Sequence, residues 1–348
     1  MSRGTRMAAH GAVSASLALH SDAELGELVD AAVPLGSGIG GKSALVEVCG
    51  VPVFVKRVPL TDRERRTENV RSTANLFGLP MICHYGIGGP SFGAWRELAV
   101  HAMTTGWVLA DDFDGFPVMH HWRVLPDSTP LPDELADVER VVAYWGGGSA
   151  VRDRIEGLQQ SSASIALFLE YIPQNLHQWL GRQVDAGAEA TDRACTMVER
   201  ELHAGIAFMN SRGLLHFDTH FENILTDGQR LYFADYGLAI STRFELSRQE
   251  IDFYDRHRTY DHCYAVSYRT RWLVTALYGG DDRTERIASY ARDERPTGIP
   301  EIPASIIARD APLSVVMADF FHRLQQESRQ TPYPREELDR ILRIDSTP

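Results

Sequence analysis

Leu214-Leu215-His216-Phe217-Asp218-Thr219-His220-Phe221-Glu222-Asn223-Ile224-Leu225 is the stretch whose reading settles the architecture of this chain. Apolar residues flank a polar centre that keeps neither the period of a strand nor that of a helix, so it reads as a loop anchored at both ends. Asp227-Gly228 follows as a two-residue hairpin signal before Leu231-Tyr232-Phe233-Ala234-Asp235-Tyr236-Gly237. A turn at Asp227-Gly228 sets Thr226 against Gln229 and Asn223 against Tyr232, with Asp235 beyond Asn223 at the open end where Asp218 begins. This register gathers Asp218, Asn223 and Asp235 into one patch. Two carboxylates and an amide oxygen are hard ligands, suited to Mg²⁺ shared with substrate phosphates.

Upstream of the loop, Ile165 to Pro173 is a short apolar strand stopped by proline. Asn175 to Gln183 reads as a helix, and Asp192 to Arg212 as a longer one, with Val198, Leu202, Ile206 and Met209 at spacings of three and four. Gly213 ends it. Nearer the N-terminus, Ala44 to Val48 and Val51 to Val58 form two β-branched runs joined at Cys49-Gly50. The segment Ala94 to Ala110 reads as a helix and Phe116 to Leu125 as a strand. Prolines 126, 130 and 132 mark a surface insertion, and Val138 to Leu158, split by Gly146-Gly147-Gly148, reads as two short helices. Strands dominate before Pro173 and helices after it, which predicts an α+β chain of two lobes. The expected divisions are a flexible leader over 1–22, a strand-rich part with insertions over 23–172, a helical part over 173–330 and a tail over 331–348.

The cluster Gly36-Ser37-Gly38-Ile39-Gly40-Gly41-Lys42-Ser43 fits two phosphate motifs at once. It matches G-x-x-x-x-G-K-[ST], and it matches G-x-G-x-x-G through Gly36, Gly38 and Gly41. In both, glycines let backbone N–H groups approach phosphate oxygens. A P-loop must open a helix, whereas the next residues are β-branched and contain Pro52, so the hairpin reading is preferred. Lys56 lies inside the second apolar run. A buried ammonium is costly unless paired, and a polyanion held by the preceding glycine loop would pair it; an edge-strand lysine reaching solvent is the alternative.

The composition narrows the classes further. The 348 residues carry 35 Lys plus Arg against 47 Asp plus Glu, a formal net charge of −12, with 44% hydrophobic and 24% charged residues. An acidic balance argues against broad nucleic-acid binding, where a basic face supplies the affinity. No apolar run approaches the roughly 18 residues of a membrane span. Four cysteines far from one another (Cys49, Cys83, Cys195, Cys263) read as reduced thiols, which predicts a cytoplasmic protein. His120, His121 and the other histidines have no ligand spacing and read as ordinary surface or core residues.

Taken in order, the glycine loop, the strand lysine, the loop from His216 to Asn223 and Asp235-Tyr236-Gly237 resemble the protein-kinase-like superfamily over roughly residues 30–280. The resemblance implies a bilobal fold with a β-rich N-lobe and a helical C-lobe, and an ATP- and Mg²⁺-dependent phosphotransferase acting on a hydroxyl. It implies that Gly36, Gly38 and Gly41 cover the ATP phosphates and Lys56 holds the α- and β-phosphates. Asp218 would orient the acceptor hydroxyl and take its proton, and Asn223 and Asp235 would hold the metal. Phe168-Leu169-Glu170-Tyr171-Ile172 resembles the hinge, where the backbone of Glu170 and Ile172 would pair with adenine. Glu97, before an apolar helix body, is favoured as the partner of Lys56 over Glu68, which sits among charges.

The motifs also depart from the family. Phe217 stands where the catalytic loop usually carries arginine, which implies activity without activation-loop phosphorylation. His220 stands where protein Ser/Thr kinases carry lysine and is similar to the small-molecule, aminoglycoside-type phosphotransferases. No A-P-E follows Asp235, and Tyr236 replaces phenylalanine. Asp261 reads either as the buried brace of the catalytic loop or as a helix cap. Two acceptors therefore stand open, a Ser/Thr side chain of a protein or peptide and a small metabolite or antibiotic; a nucleotide-binding module without catalysis is the third reading.

Overall fold

The computed structural model describes residues 3–38, 41–86, 91–128 and 133–345. Ile39 and Gly40 of the glycine cluster, Gly88 to Pro90, and Pro130 and Pro132 of the insertion lie outside the described residues, as do the chain ends 1–2 and 346–348. The chain is α+β and divides into two compact units. One comprises 1–172 with 235–250, the other 173–234 with 251–348.

The first unit opens with helices α1 (Arg3–Ala18) and α2 (Asp22–Asp30), the latter closed by a Ser21–Glu24 capping box. Strands β1 (Val33–Gly38), β2 (Gly41–Val48) and β3 (Val51–Leu60) follow, then the single turn α3 (Asp62–Arg65), helix α4 (Ala94–Leu109) and strand β4 (Met119–Pro126). Three short helices, α5 (Asp133–Ala136), α6 (Val138–Tyr144) and α7 (Ser149–Gln159), lead to β5 (Ala163–Glu170). The five strands form one antiparallel sheet in the order β1-β2-β3-β5-β4. Alternation along the central strands sends side chains to two faces. Val53, Val55, Ala166 and Phe168 pack with Val13, Leu17, Leu25 and Val29 of α1 and α2. Val58, Leu60, Ile165, Leu167 and Leu169 pack with Trp95 and Leu98 of α4. Lys56, one residue on from Val55, falls on the α4 face.

Two expectations about the ends of this unit are corrected. Residues 3–18 are no flexible leader, because α1 buries Val13 and Leu17 completely in the sheet core. The helix is further tied down by Arg6, whose guanidinium meets the Glu170 carboxylate at 2.6 Å and the Phe116 carbonyl. Residues 235–250 belong with the strand-rich unit and not with the helical one. Tyr236 is buried against His101 of α4 (ring centroids 4.8 Å), His84 Nδ1 donates to the Leu238 carbonyl, and Arg96 pairs with Glu250 at 2.5 Å.

The second unit begins at β6 (Gln174–Asn175) and α8 (Leu176–Asp185), whose N-terminus is capped by the Asn175 side chain. The 24-residue α9 (Ala188–Ser211) buries Cys195, Val198, Leu202, Ile206 and Met209 along one face. Gly213, with φ 73°, terminates it. The short strands β7 (Leu214–Leu215), β8 (Ile224–Thr226) and β9 (Leu231–Phe233) bracket the polar loop, and β8 pairs with both β6 and β9. Helices α10 (Arg248–Arg256), α11 (Tyr260–Tyr278), α12 (Arg283–Tyr290), α13 (Glu301–Gln326) and α14 (Arg335–Asp345) complete the chain. Leu273, Val274, Ile287, Ile306, Ile307 and Ala311 form the core of this helical layer with Cys195. The expected tail is also structured, since Leu338 of α14 is fully buried. No helix of the described residues is long and apolar enough to cross a membrane.

The hairpin register differs from expectation by two residues. Thr226 pairs with Leu231, Leu225 with Tyr232 and Ile224 with Phe233. The turn therefore spans 227–230 and not two residues alone. Asp227 Oδ1 accepts from the N–H groups of both Gln229 and Arg230, and Thr226 Oγ1 accepts from Gly228 N–H, so side chains close a longer loop. Asn223 thus lies against Ala234, whose N–H donates to the Asn223 carbonyl at 3.0 Å.

Candidate active site

In the first unit, Lys56 is held by two carboxylates. Its Nζ lies 2.7 Å from Glu97 Oε1 and 2.9 Å from Asp235 Oδ1. Burial opposes the ammonium charge, but Asp235 and Glu97 more than offset it and hold Lys56 well above the usual lysine range. Burial pushes the Glu97 carboxyl upward against the pull of Lys56. At a contact of 2.7 Å the ionised pair is the consistent state, because a neutral partner would leave a buried ammonium uncompensated. Two carboxylates around one ammonium leave an excess negative charge. Asp235 carries it toward solvent, with a side chain 40% exposed against 2% for Glu97. Glu68, the rival partner, is exposed in a short 3₁₀ turn.

The position of Glu97 is set by a buried charge cluster that the sequence reading missed. Glu64, a few residues before Glu68 in the same charged stretch, closes a capping box with Thr61. Oε1 accepts from the first N–H of α4, at Ala94, and Arg154 of α7 pairs at 2.8 Å with Oε2, the oxygen of the capping box. The detectable signal was Thr61-x-x-Glu64, a capping box; its partner Arg154 is 90 residues away and invisible locally.

The glycine positions fall on the two arms of the β1–β2 hairpin, with Gly38 opposite Gly41 and Gly36 opposite Ser43. Gly41 has φ 118°, and a Cβ there would meet the Arg57 carbonyl at 2.0 Å, so only glycine fits. Residues 42–48 continue as strand, which removes the P-loop reading. Glu170 ends β5, donating its N–H to the Val118 carbonyl at 2.8 Å, while its carboxylate is engaged by Arg6 and by Val118 N–H. Its side chain is thus structural. Ile172 lies half-buried in the coil beyond it.

In the second unit, Asp218, His220 and Asn223 are gathered by one loop. Asn223 Nδ2 donates to Asp218 Oδ2 at 2.9 Å and to the Asp218 carbonyl at 3.1 Å. The other carboxylate oxygen, Oδ1, lies 3.6 Å from His220 Nε2. With its amide nitrogen committed to Asp218, Asn223 presents its carbonyl oxygen as the atom able to meet a cation. Among the described residues no cluster of three or more His, Cys, Asp or Glu side chains stands ready to hold a metal.

The loop is braced from below by Asp261, whose two oxygens accept from His216 N–H at 2.6 Å and Phe217 N–H at 2.8 Å. Of the two readings of this residue, the brace is the one its contacts fit. Burial pushes its carboxyl up to about 6, although both N–H groups pull the other way. Asp261→Ala leaves two buried donors without acceptors, and at ~1–3 kcal/mol each a loss of ~2–6 kcal/mol of stability is expected, read from a lowered urea midpoint.

Phe217 holds a left-handed φ of 66°, a strained value for a bulky residue and one that concentrates at functional loops. Its ring stacks on Tyr260 at 4.5 Å and on Phe253 at 5.4 Å. His257 completes this cluster, stacked on Phe253 at 3.9 Å with Nδ1 donating to the Phe253 carbonyl. Burial holds its imidazole down to about 4. The unfolded chain takes up a proton below about pH 6.5 that the folded imidazole refuses until about pH 4. Stability therefore falls as pH drops through that window, by up to ~3 kcal/mol for this group. His257→Gln is expected to flatten the profile of urea midpoint against pH, leaving the matching contribution of His120, which burial also holds down to about 4.

A scan of protein-family models returns no match to this chain, and no curated protein is found similar to it.

Proposed function

We propose that the chain is a protein-kinase-like phosphotransferase, moving the γ-phosphoryl group of ATP to a hydroxyl, with a Ser/Thr side chain of a protein or peptide as acceptor. The observation that carries this reading is Lys56, buried and held between Glu97 and Asp235 on the strand that follows the glycine-bearing β1–β2 pair. A lysine fixed in that way keeps its charge and its direction, as a group meeting the α- and β-phosphates must. In this reading the first unit corresponds to the N-lobe and the second to the C-lobe of such an enzyme.

In the reaction the acceptor oxygen attacks the γ-phosphorus, the bond to the ADP oxygen breaks, and the hydroxyl proton passes to Asp218. Asp218 suits that task because Asn223 fixes the direction of its carboxylate through Oδ2, while Oδ1 lies on the side of His220. Asp235 supplies a hard oxygen donor that fits Mg²⁺, and the excess negative charge around Lys56 calls for a further cation; the resemblance gives Asn223 the same role in the second unit. Bound there, Mg²⁺ would shield charge on the phosphate oxygens. Phe217, packed among aromatic rings, leaves no guanidinium to receive an activation-loop phosphate, so activity is expected without prior phosphorylation.

A second reading, transfer to a small metabolite or antibiotic, is favoured by His220, whose Nε2 faces Asp218 where a protein kinase would present lysine. The two are separated with γ-labelled ATP, Mg²⁺ and a lysate split into protein and small-molecule fractions. Label in protein supports the first reading and label in the small fraction the second. No label in either, with ATP bound, overturns both.

A further inference from the structure

Alongside the catalytic loop, the second unit holds a cleft of about 320 Å³ between α8, α11 and α12. Tyr268 and Trp272 of α11 form its floor, with His177 of α8 at one side. The floor is tied to the loop, since Phe221 packs on Tyr268 at 5.1 Å and on Trp272 at 5.8 Å, and the His220 ring lies 6.1 Å from Tyr268.

Two guanidiniums line the same cleft, Arg271 and Arg283. Both are half-buried, and neither has a carboxylate within ion-pair distance among the described residues. Among the described residues the Arg283 guanidinium donates to Thr275 Oγ1, at 3.4 Å. Burial and then the charge of Arg283 both draw the Arg271 guanidinium downward, so the two repel one another in a partly desolvated setting. A larger cleft of about 500 Å³ in this unit offers the contrast. There Arg269 and Arg309 are matched by Asp310 and Glu199 at 3.3 Å or less. In a chain of net charge −12, an unmatched arginine pair over an aromatic floor is a site that lacks its anion.

We propose that this cleft binds an acidic side chain of the acceptor, so that the enzyme selects Ser/Thr peptides carrying Asp or Glu a few residues from the acceptor hydroxyl. The inference rests on the phosphotransferase reading for its meaning, though not for its test. Distance favours an extended acceptor. From Tyr268, beside His220, to Thr275, where Arg283 anchors, α11 rises about 10 Å, the span of about three extended residues.

The test measures binding of peptides whose acceptor serine is replaced by alanine, so that no transfer is needed. Three matched peptides carry Glu, Gln or Lys at the flanking positions, and affinity is read by fluorescence anisotropy with the full chain. The Glu peptide is expected to bind at least about tenfold more tightly than the Gln peptide, with the preference weakening as salt rises. Arg271→Gln with Arg283→Gln should abolish that preference while ATP affinity stays unchanged; Arg283→Gln alone serves if the double variant has a lowered urea midpoint. With the serine peptides, the same variants should raise KM and spare kcat. Equal binding of Glu and Gln peptides, or a preference that survives both substitutions, overturns the inference. Asp218→Asn should retain the preference, and selective binding by the wild-type chain with no label passing to the serine peptides would sink the phosphotransferase reading and leave the cleft standing.

Discussion

Asp218→Asn is expected to lower phosphoryl transfer ~10³-fold, about 4 kcal/mol in the barrier, while ATP affinity stays within a factor of two or so. The substitution keeps the shape of the side chain and removes its capacity to take a proton. The Asn223 amide can still donate to the oxygen of the new amide, so the loop should hold its course. The Asp261 brace is untouched, because it grips the backbone of His216 and Phe217 and not the side chain of residue 218. The check is a single-turnover assay with γ-labelled ATP beside a binding titration. Unchanged transfer would remove Asp218 from the chemistry. Lost ATP binding together with a lowered urea midpoint would mean that the loop had collapsed.

Asp235→Asn is expected to weaken Mg²⁺-dependent ATP binding at least about tenfold, or ~1.4 kcal/mol, with little loss of stability. Lys56 keeps Glu97 at 2.7 Å, so the ammonium is not left unpaired. The excess negative charge around it is gone, and with it the carboxylate that reaches solvent. Asp235 also holds φ 62°, a conformation asparagine tolerates about as well, so the backbone should not object. The readout is ATP affinity with Mg²⁺ and with EDTA. An affinity that falls equally in both would show that Asp235 acts by shaping the Lys56 site, and an unchanged Mg²⁺ response would detach this residue from the metal.

How far these residues could be read before any coordinates follows from the range of the forces that place them. The loop from His216 to Asn223, the strand lysine and the helices read at Asn175 to Gln183 and Asp192 to Arg212 were legible because periodicity, turn residues and caps act over a few positions. Glu97 was legible as a helix residue in an apolar context. Its pairing with Lys56 rests on Glu64, which fixes the start of α4 through a partner in α7.

The local code failed where side chains rather than backbone types closed a structure. Asp227-Gly228 promised a two-residue turn, and the Asp227 carboxylate built a four-residue one by binding two N–H groups further on. It failed again at the N-terminus, where a weakly apolar stretch became α1 because one sheet face needed cover and Arg6 found Glu170 at the far end of β5. The assignment of 235–250 to the strand-rich unit arose likewise from contacts of Tyr236, Leu238 and Glu250 with partners over 100 residues away. The candidate site was therefore written in short motifs, since its groups need particular neighbours in the chain. Charge balance was settled by the folded chain alone. Whether an arginine is matched, like Arg154, or left open, like Arg271, depends on which distant carboxylate the packing brings to it.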